Sequence, residues 1–269
     1  MPPLLCAPSL ALRLERAEGF ANARFVEARA RIFPALGACW TEIAGTLAMY
    51  DGPQSPCTQT FALGLPHTPS PEDLDRIESF FRERQAPVLH EVSPMADLAL
   101  IPLLTGRGYR PIEFTSVMYL PLEPRIPAAG DVRVRIAAPE EHALWARIAA
   151  EGWRDHVHLG DMLLDLMQVV SSREQAVDFL AELDGEPVAA ASLAIHEGVA
   201  LLAGASTIPR FRRRGAQRAL MEARLAHAAD AGCDLAMISA APPGAESQRN
   251  AERQRFRLAY TRIKWSLTP

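Results

Sequence analysis

Two spacings of apolar positions organise the chain. Apolar residues recur every three or four positions from about Ala11 to Ile32, which predicts a helix, and Trp40 to Tyr50 and Thr58 to Leu65 read as two strands of a hairpin around Asp51-Gly-Pro. Ser70-Pro71-Glu72-Asp73 carries a capping residue, a proline at the first helical position and acids in the first turn, so a helix is expected to about Arg84. Val88 to Val92 follows as a short strand. Ala96 to Leu104 reads as a helix stopped by Gly106 and Gly108, and Tyr109 to Leu122 as a long strand or strand pair.

Three prolines and a glycine between Pro121 and Gly130 then interrupt the pattern, and the domain boundary is placed there, giving domains over 1–124 and 131–269. Beyond it come a strand at Val132 to Ile136 and helices at Glu140 to Asp155 and Asp161 to Val170. Strands follow at Ala176 to Asp184, Pro187 to His196 and Val199 to Thr207, joined into consecutive hairpins by Asp184-Gly185 and Glu197-Gly198. A helix from Gly215 to Ala231 stops at Gly232, strand Asp234 to Ala241 and helix Glu246 to Arg253 succeed it, and a strand runs from Phe256 to Leu267. Strands interleaved with helices in each half predict an α/β fold with a mixed sheet in each. Each half also ends in a helix followed by an aromatic-bearing strand, with Tyr109 and Phe114 in one and Phe256 and Tyr260 in the other, which suggests duplication.

Composition narrows the function classes. A length of 269 residues with 49% hydrophobic and 22% charged residues is that of a globular chain. The formal net charge of -4 gives no overall basic field, so neither nucleic acid nor an anionic membrane is expected as a partner. The charge is nevertheless uneven: from Leu201 to Pro269 eleven Arg and one Lys face five acids, which makes this segment +7 and the remainder -11. An anion is expected to dock there. Cys6, Cys39, Cys57 and Cys233 form no C-x-x-C pair and read as reduced core thiols, and no apolar run suits a signal peptide or a membrane span, so a cytoplasmic location is expected.

The stretch that carries chemistry is Ala203-Gly-Ala-Ser-Thr-Ile-Pro-Arg-Phe-Arg-Arg-Arg-Gly-Ala-Gln-Arg-Ala-Leu220. An apolar strand passes through a basic loop directly into a helix. Free N–H groups at the helix start, its dipole, and a glycine that admits an anion to the backbone make a phosphate site, ringed by Arg212, Arg213, Arg214 and Arg218. Ala216, Ala219, Leu220 and Ala223 share the helix face expected to meet the sheet, with Arg218 and Glu222 toward solvent. Because 27 of the 28 basic residues are arginine, charge alone also fits a solvated loop; the strand, glycine and helix order favours the anion site.

This segment resembles motif A of the GNAT superfamily of acyl-CoA-dependent N-acetyltransferases, [QR]-x-x-G-x-[GA], here Arg212-Arg-Arg-Gly215-Ala216-Gln217. Gln217 stands where the family has a small residue. The resemblance implies that Ser206, Thr207 and Ile208 pair with pantetheine and that the backbone of Gly215, Ala216 and Gln217, with Arg212, Arg213, Arg214 and Arg218, takes the pyrophosphate. Ser247 to Phe256 resembles motif B, placing Asn250 and Arg253 as cofactor contacts. The first half resembles the family more loosely: Leu103 to Tyr109 is similar to the end of a motif B, while His67 to Asp73 occupies the motif A place with acids and prolines. The implied architecture is two GNAT-like domains in tandem, each a mixed, mostly antiparallel twisted sheet flanked by helices. The first is expected to be degenerate and free of cofactor, and the second to bind acetyl-CoA.

The resemblance further implies direct attack of an amine on the thioester, for which a base and an acid are useful. The tyrosine that often serves as acid falls at Ala251, and the strand glutamate some members use as base falls near Leu201. His156 is the candidate base and Tyr260 the candidate acid. Otherwise proximity and orientation carry the rate with water accepting the proton. No metal is expected at His156 and His158. The expected function is an N-acetyltransferase acting on a primary amine of a small or amino-acid-like acceptor, as a monomer or homodimer; the alternative is a non-catalytic acyl-CoA sensor or scaffold.

Overall fold

A computed structural model describes residues 7–124, 130–155, 162–240 and 246–267 of the chain. In chain order these form α1 (Pro8–Ile32), β1 (Cys39–Ile43), β2 (Thr46–Tyr50), β3 (Gln59–Phe61), α2 (Pro71–Arg82), β4 (Val88–Val92), α3 (Leu100–Gly106) and β5 (Tyr109–Pro121). Then follow β6 (Arg133–Ile136), α4 (His142–Trp153), α5 (Met162–Ser171), β7 (Ala176–Leu183), β8 (Glu186–His196), β9 (Val199–Thr207), α6 (Ala216–Asp230), β10 (Leu235–Ala240), α7 (Glu246–Arg253) and β11 (Arg257–Leu267). The chain divides into two compact units, one of Met1–Leu120 with Met237–Pro269 and one of Pro121–Ala236. They do not follow the linear division expected at 121–130, because the segment from Met237 onward folds with the first.

In the first unit the strands run in the order β1-β2-β3-β4-β11-β5. The strand expected from Trp40 to Tyr50 is two, folded at Ala44-Gly45, where both residues take positive φ (49° and 72°) and suit a tight hairpin turn. Neighbours pair antiparallel except β3 and β4, which are parallel and in register only at Thr60 and His90. Tyr109 and Trp265 face a core made with Leu74, Ile77 and Phe81 of α2 and Leu100 and Leu104 of α3. The opposite face carries α1, which approaches so closely that a Cβ on Gly19 would come within 2.5 Å of Leu47 Cδ1. Helix α2 is closed by its own side chains, with Ser70 Oγ accepting from the Asp73 N–H and the Asp73 carboxylate from the Ser70 N–H, both at 3.1 Å.

In the second unit β9, β8, β7 and β6 are successive antiparallel neighbours. The hairpin turns fall at Asp184-Gly185 and Glu197-Gly198, all with positive φ, as the sequence predicts. Alternation assigns the faces. Leu180 and Ala190 pack with Trp145, Ala146 and Ala149 of α4 and Leu163 and Met167 of α5, while the neighbouring Phe179 meets His227 of α6 edge-on. A run of small residues from Ala189 to Ala191 lets the helices sit close to the sheet. Helix α4 touches β9 most tightly at Gly152, where a Cβ would lie 2.4 Å from Ser206 Oγ and 2.9 Å from the Thr207 nitrogen.

Candidate functional site

The site grows from the link between β9 and α6. Strand β9 ends at Thr207, a single turn of 3-10 helix spans Pro209–Phe211, and the chain enters α6 through Arg213 and Gly215, both in the left-handed region (φ 64° and 89°). Space does not demand a glycine at 215, because the nearest atom to a built Cβ is 4.0 Å away; the backbone angle does. In contrast to α2, no side chain caps α6, so its first N–H groups stay open to an anion.

The residues predicted from sequence divide into those that build this link and those that remain open. Ser206 is buried and donates from Oγ to the Ala149 carbonyl of α4 at 2.9 Å, while Ser206 and Thr207 lie opposite Ala190 and Ala189 of β8. Ile208 is buried, and its N–H reaches the Val188 carbonyl. Gln217, which replaces the small residue of the motif, turns its amide aside to Thr207 Oγ1 at 3.0 Å and thereby ties the start of α6 to the end of β9.

Arg212 is committed to the scaffold: it donates to the Thr207 and Gly152 carbonyls and to Asp155, bracing the loop against the end of α4. Arg210, not singled out from sequence, does similar work by bridging Glu151 and Glu186. Arg218 pairs one turn along with Glu222 at 2.7 Å, and that hydrogen bond raises its pKa. Arg214 stands 3.6 Å from the exposed Asp184, and Arg213 has no partner among the described residues. An anion at the α6 start therefore finds Arg213 and Arg214 least engaged. Ala216 is buried beneath the helix start.

Asn250 and Arg253 lie on α7, within the first compact unit, where Arg253 donates to Asn250 Oδ1 at 2.7 Å and both are exposed. Ala251, in the position of the motif B tyrosine, is buried, as is Leu201. His156 lies outside the described residues.

Tyr260 is buried in the first unit, and its hydroxyl donates to Glu15 Oε1 at 2.9 Å. It belongs to a buried polar cluster in which Arg262 lies among Glu15 and Glu18 of α1 and Glu91 of β4, with Lys264 joining Glu91 to Glu113. Burial raises the Glu15 carboxyl to about 7 against the opposing pull of Arg262, and burial together with Glu15 holds the Tyr260 hydroxyl protonated. Among the described residues no group of three or more His, Cys, Asp and Glu is placed to hold a metal, and no helix is long and apolar enough to cross a membrane. Cys39 and Cys233 are free thiols.

Residues 144–256 match the model of the acetyltransferase (GNAT) family, so this span is a GNAT domain and the protein carrying it an acyltransferase. No curated protein matches the chain. Among solved structures, a GCN5-related N-acetyltransferase from Kribbella flavida is 20% identical with a TM-score of 0.65, the alignment covering 97% of this chain and 96% of that one. One from Sphaerobacter thermophilus is 14% identical with a TM-score of 0.57, covering 98% and 94%. A tandem GNAT protein from the clavulanic acid biosynthesis pathway is 12% identical with a TM-score of 0.58, covering 83% and 79%. At these identities the likeness is one of fold.

Proposed function

We propose that the protein is an N-acetyltransferase that moves the acetyl group of acetyl-CoA to a primary amine of a small or amino-acid-like acceptor. The observation that carries this reading is the α6 start: a left-handed Gly215, open N–H groups and the little-engaged Arg213 and Arg214 next to the end of β9. The cofactor's pyrophosphate lies on the backbone of Gly215, Ala216 and Gln217, and its pantetheine follows Ser206 to Ile208. Arg212 shapes the loop from behind.

The first half, residues 1–124, takes the part of a degenerate GNAT-like domain, since the helix start corresponding to motif A is filled by the Ser70–Asp73 capping box. Acids there repel phosphate.

With Leu201 and Ala251 at the family's base and acid positions and Tyr260 engaged with Glu15, proximity and orientation carry most of the rate, and water or His156 accepts the proton. The same two apolar residues favour the second reading, an acyl-CoA sensor that binds without turnover.

Calorimetric titration of acetyl-CoA into the full chain and into Arg213→Glu tests the site. One site per chain, weakened about 10-fold or more by the charge reversal, is expected from the loss of a charge-assisted phosphate contact. Two sites would end the degenerate reading of the first half, and no binding would end the transferase reading. Thiol release across an amine panel then separates enzyme from sensor.

A further inference from the structure

Strand β9 is irregular just before the segment assigned to pantetheine. Ser192 pairs with Ala203 and Ala190 with Ser206, so Gly204 and Ala205 together face the single residue Ala191. This is a β-bulge, and Gly204 takes φ +64° within it. Bulges bend a strand and concentrate next to active sites, where they re-aim the chain.

Behind the bulge sits Arg224 of α6, only 1% exposed. One guanidinium nitrogen donates to the carbonyls of both bracketing residues, Ser192 at 3.1 Å and Ala203 at 3.3 Å. Its Nε donates to Leu220 O, one turn back on the same helix, at 3.2 Å. Among the described residues every hydrogen-bond partner of this buried guanidinium is a backbone carbonyl, and none is a carboxylate. Ser192 is held from its side chain as well, its Oγ accepting from Arg173 at 2.7 Å.

A cation buried without counter-charge is expensive, and Arg224 extends the apolar row Ala216, Leu220 at four-residue spacing, where a leucine would fill the helix face more cheaply. The arrangement suits a position where negative charge develops. In a planar trans peptide C=O and N–H point in opposite directions, so holding Ala203 O toward Arg224 turns the Gly204 N–H away from it and sets the orientation of the bulge backbone.

We propose that Arg224 is a positioning residue for acyl transfer: it fixes the bulge at Gly204 and Ala205, beside which the acyl thioester of the cofactor lies, and its uncompensated charge favours the oxygen that becomes negative. The role rests on the transferase reading above. In that reaction the amine lone pair forms a bond to the thioester carbon and the carbonyl π pair moves to oxygen. The C=O then reforms, the C–S bond breaks, and the sulfur leaves as thiolate and takes up a proton, while the new amide nitrogen gives its proton to water or a base. The enhancement sought is electrostatic, from a charge already in place before the oxygen becomes negative.

The test compares the full-length protein with Arg224→Met and Arg224→Lys, measuring acetyl-CoA affinity by calorimetry and kcat and KM by thiol release with the best amine of a panel. Arg224→Met is expected to keep the cofactor dissociation constant within about threefold and to lose about 10- to 100-fold in kcat, with partial recovery in Arg224→Lys. Should Arg224→Met fail to fold, Arg224→Lys decides alone, with kcat lowered at unchanged affinity supporting the role. An active wild type whose folded Arg224 variants turn over at its rate, or lose kcat and cofactor affinity in parallel, would overturn this role and leave the transferase reading standing. A wild type that binds acetyl-CoA but acetylates no amine overturns both.

Discussion

Single side chains carry the largest electrostatic commitments in this molecule. Glu15, Glu18 and Glu91 crowd around Arg262 in the interior of the first unit, and burial raises the Glu15 carboxyl to about 7. Its sign follows from linkage. Between its ordinary value of 4.5 and about 7 the unfolded chain has lost a proton that the folded chain keeps, so stability declines as pH rises through that window and levels off above it. Denaturant titrations at pH 5 and pH 8 should show this fall in the native protein and a flatter profile in Glu15→Gln, whose amide oxygen can still accept from Tyr260; identical profiles would remove Glu15 as the cause. None of this cluster was legible in the sequence, where Glu15 and Glu18 look like the solvent face of an amphipathic helix and Arg262 a residue of an aromatic strand. Arg224 escaped notice for a related reason: Ala216 and Leu220 mark its face at four-residue spacing, but an arginine at the next step is read as polar and therefore outward.

At the scale of elements, legibility followed local chemistry. The hairpins of the second unit were plain because Gly185 and Gly198, with Asp184, are residues that accept positive φ. The turn at Ala44-Gly45 was hidden inside an apolar run, and α3 begins at Leu100 rather than Ala96 because Ser93 to Leu98 fold first into turns, including an Ala96 N–H to Ser93 carbonyl bond. Two helix starts show how much one cap decides. Helix α2 spends its first N–H groups on Ser70, and Ser70→Ala should cost about 1 kcal/mol in thermal or chemical unfolding while leaving acetyl-CoA affinity unchanged. Helix α6 has no such side chain, and its strand, loop and glycine were visible in sequence because they are contiguous. What sequence could not apportion was the arginines, since whether each meets Glu151, Asp155, Asp184, Glu222 or solvent is decided by tertiary contacts.

For the molecule as a whole, partner choice between distant strands was the least legible feature. Nothing local in Arg257 to Leu267 says that it lies between β4 and β5, yet it pairs antiparallel with both, from Lys264 opposite Glu91 to Thr261 opposite Ser116. Truncation after Phe256 should therefore cost the first unit its cooperative unfolding transition, because β4 and β5 lose their shared neighbour and Glu15, Glu18 and Glu91 lose Arg262. Circular dichroism and calorimetry of the truncated chain would read this directly, and a preserved transition would show that the first unit stands without the strand.

The place of β11 also sets an order of events during translation. Strands β1 to β5 leave the ribosome well before their missing inner neighbour, which is made only after the whole of Pro121–Ala236. Until then β4 and β5 present unpaired backbone, and Glu91 lacks its cation. The nascent first unit is thus a waiting template that chaperones and proteases meet before it closes, whereas the second unit holds strands β6 to β9 in one uninterrupted stretch and can fold as it emerges.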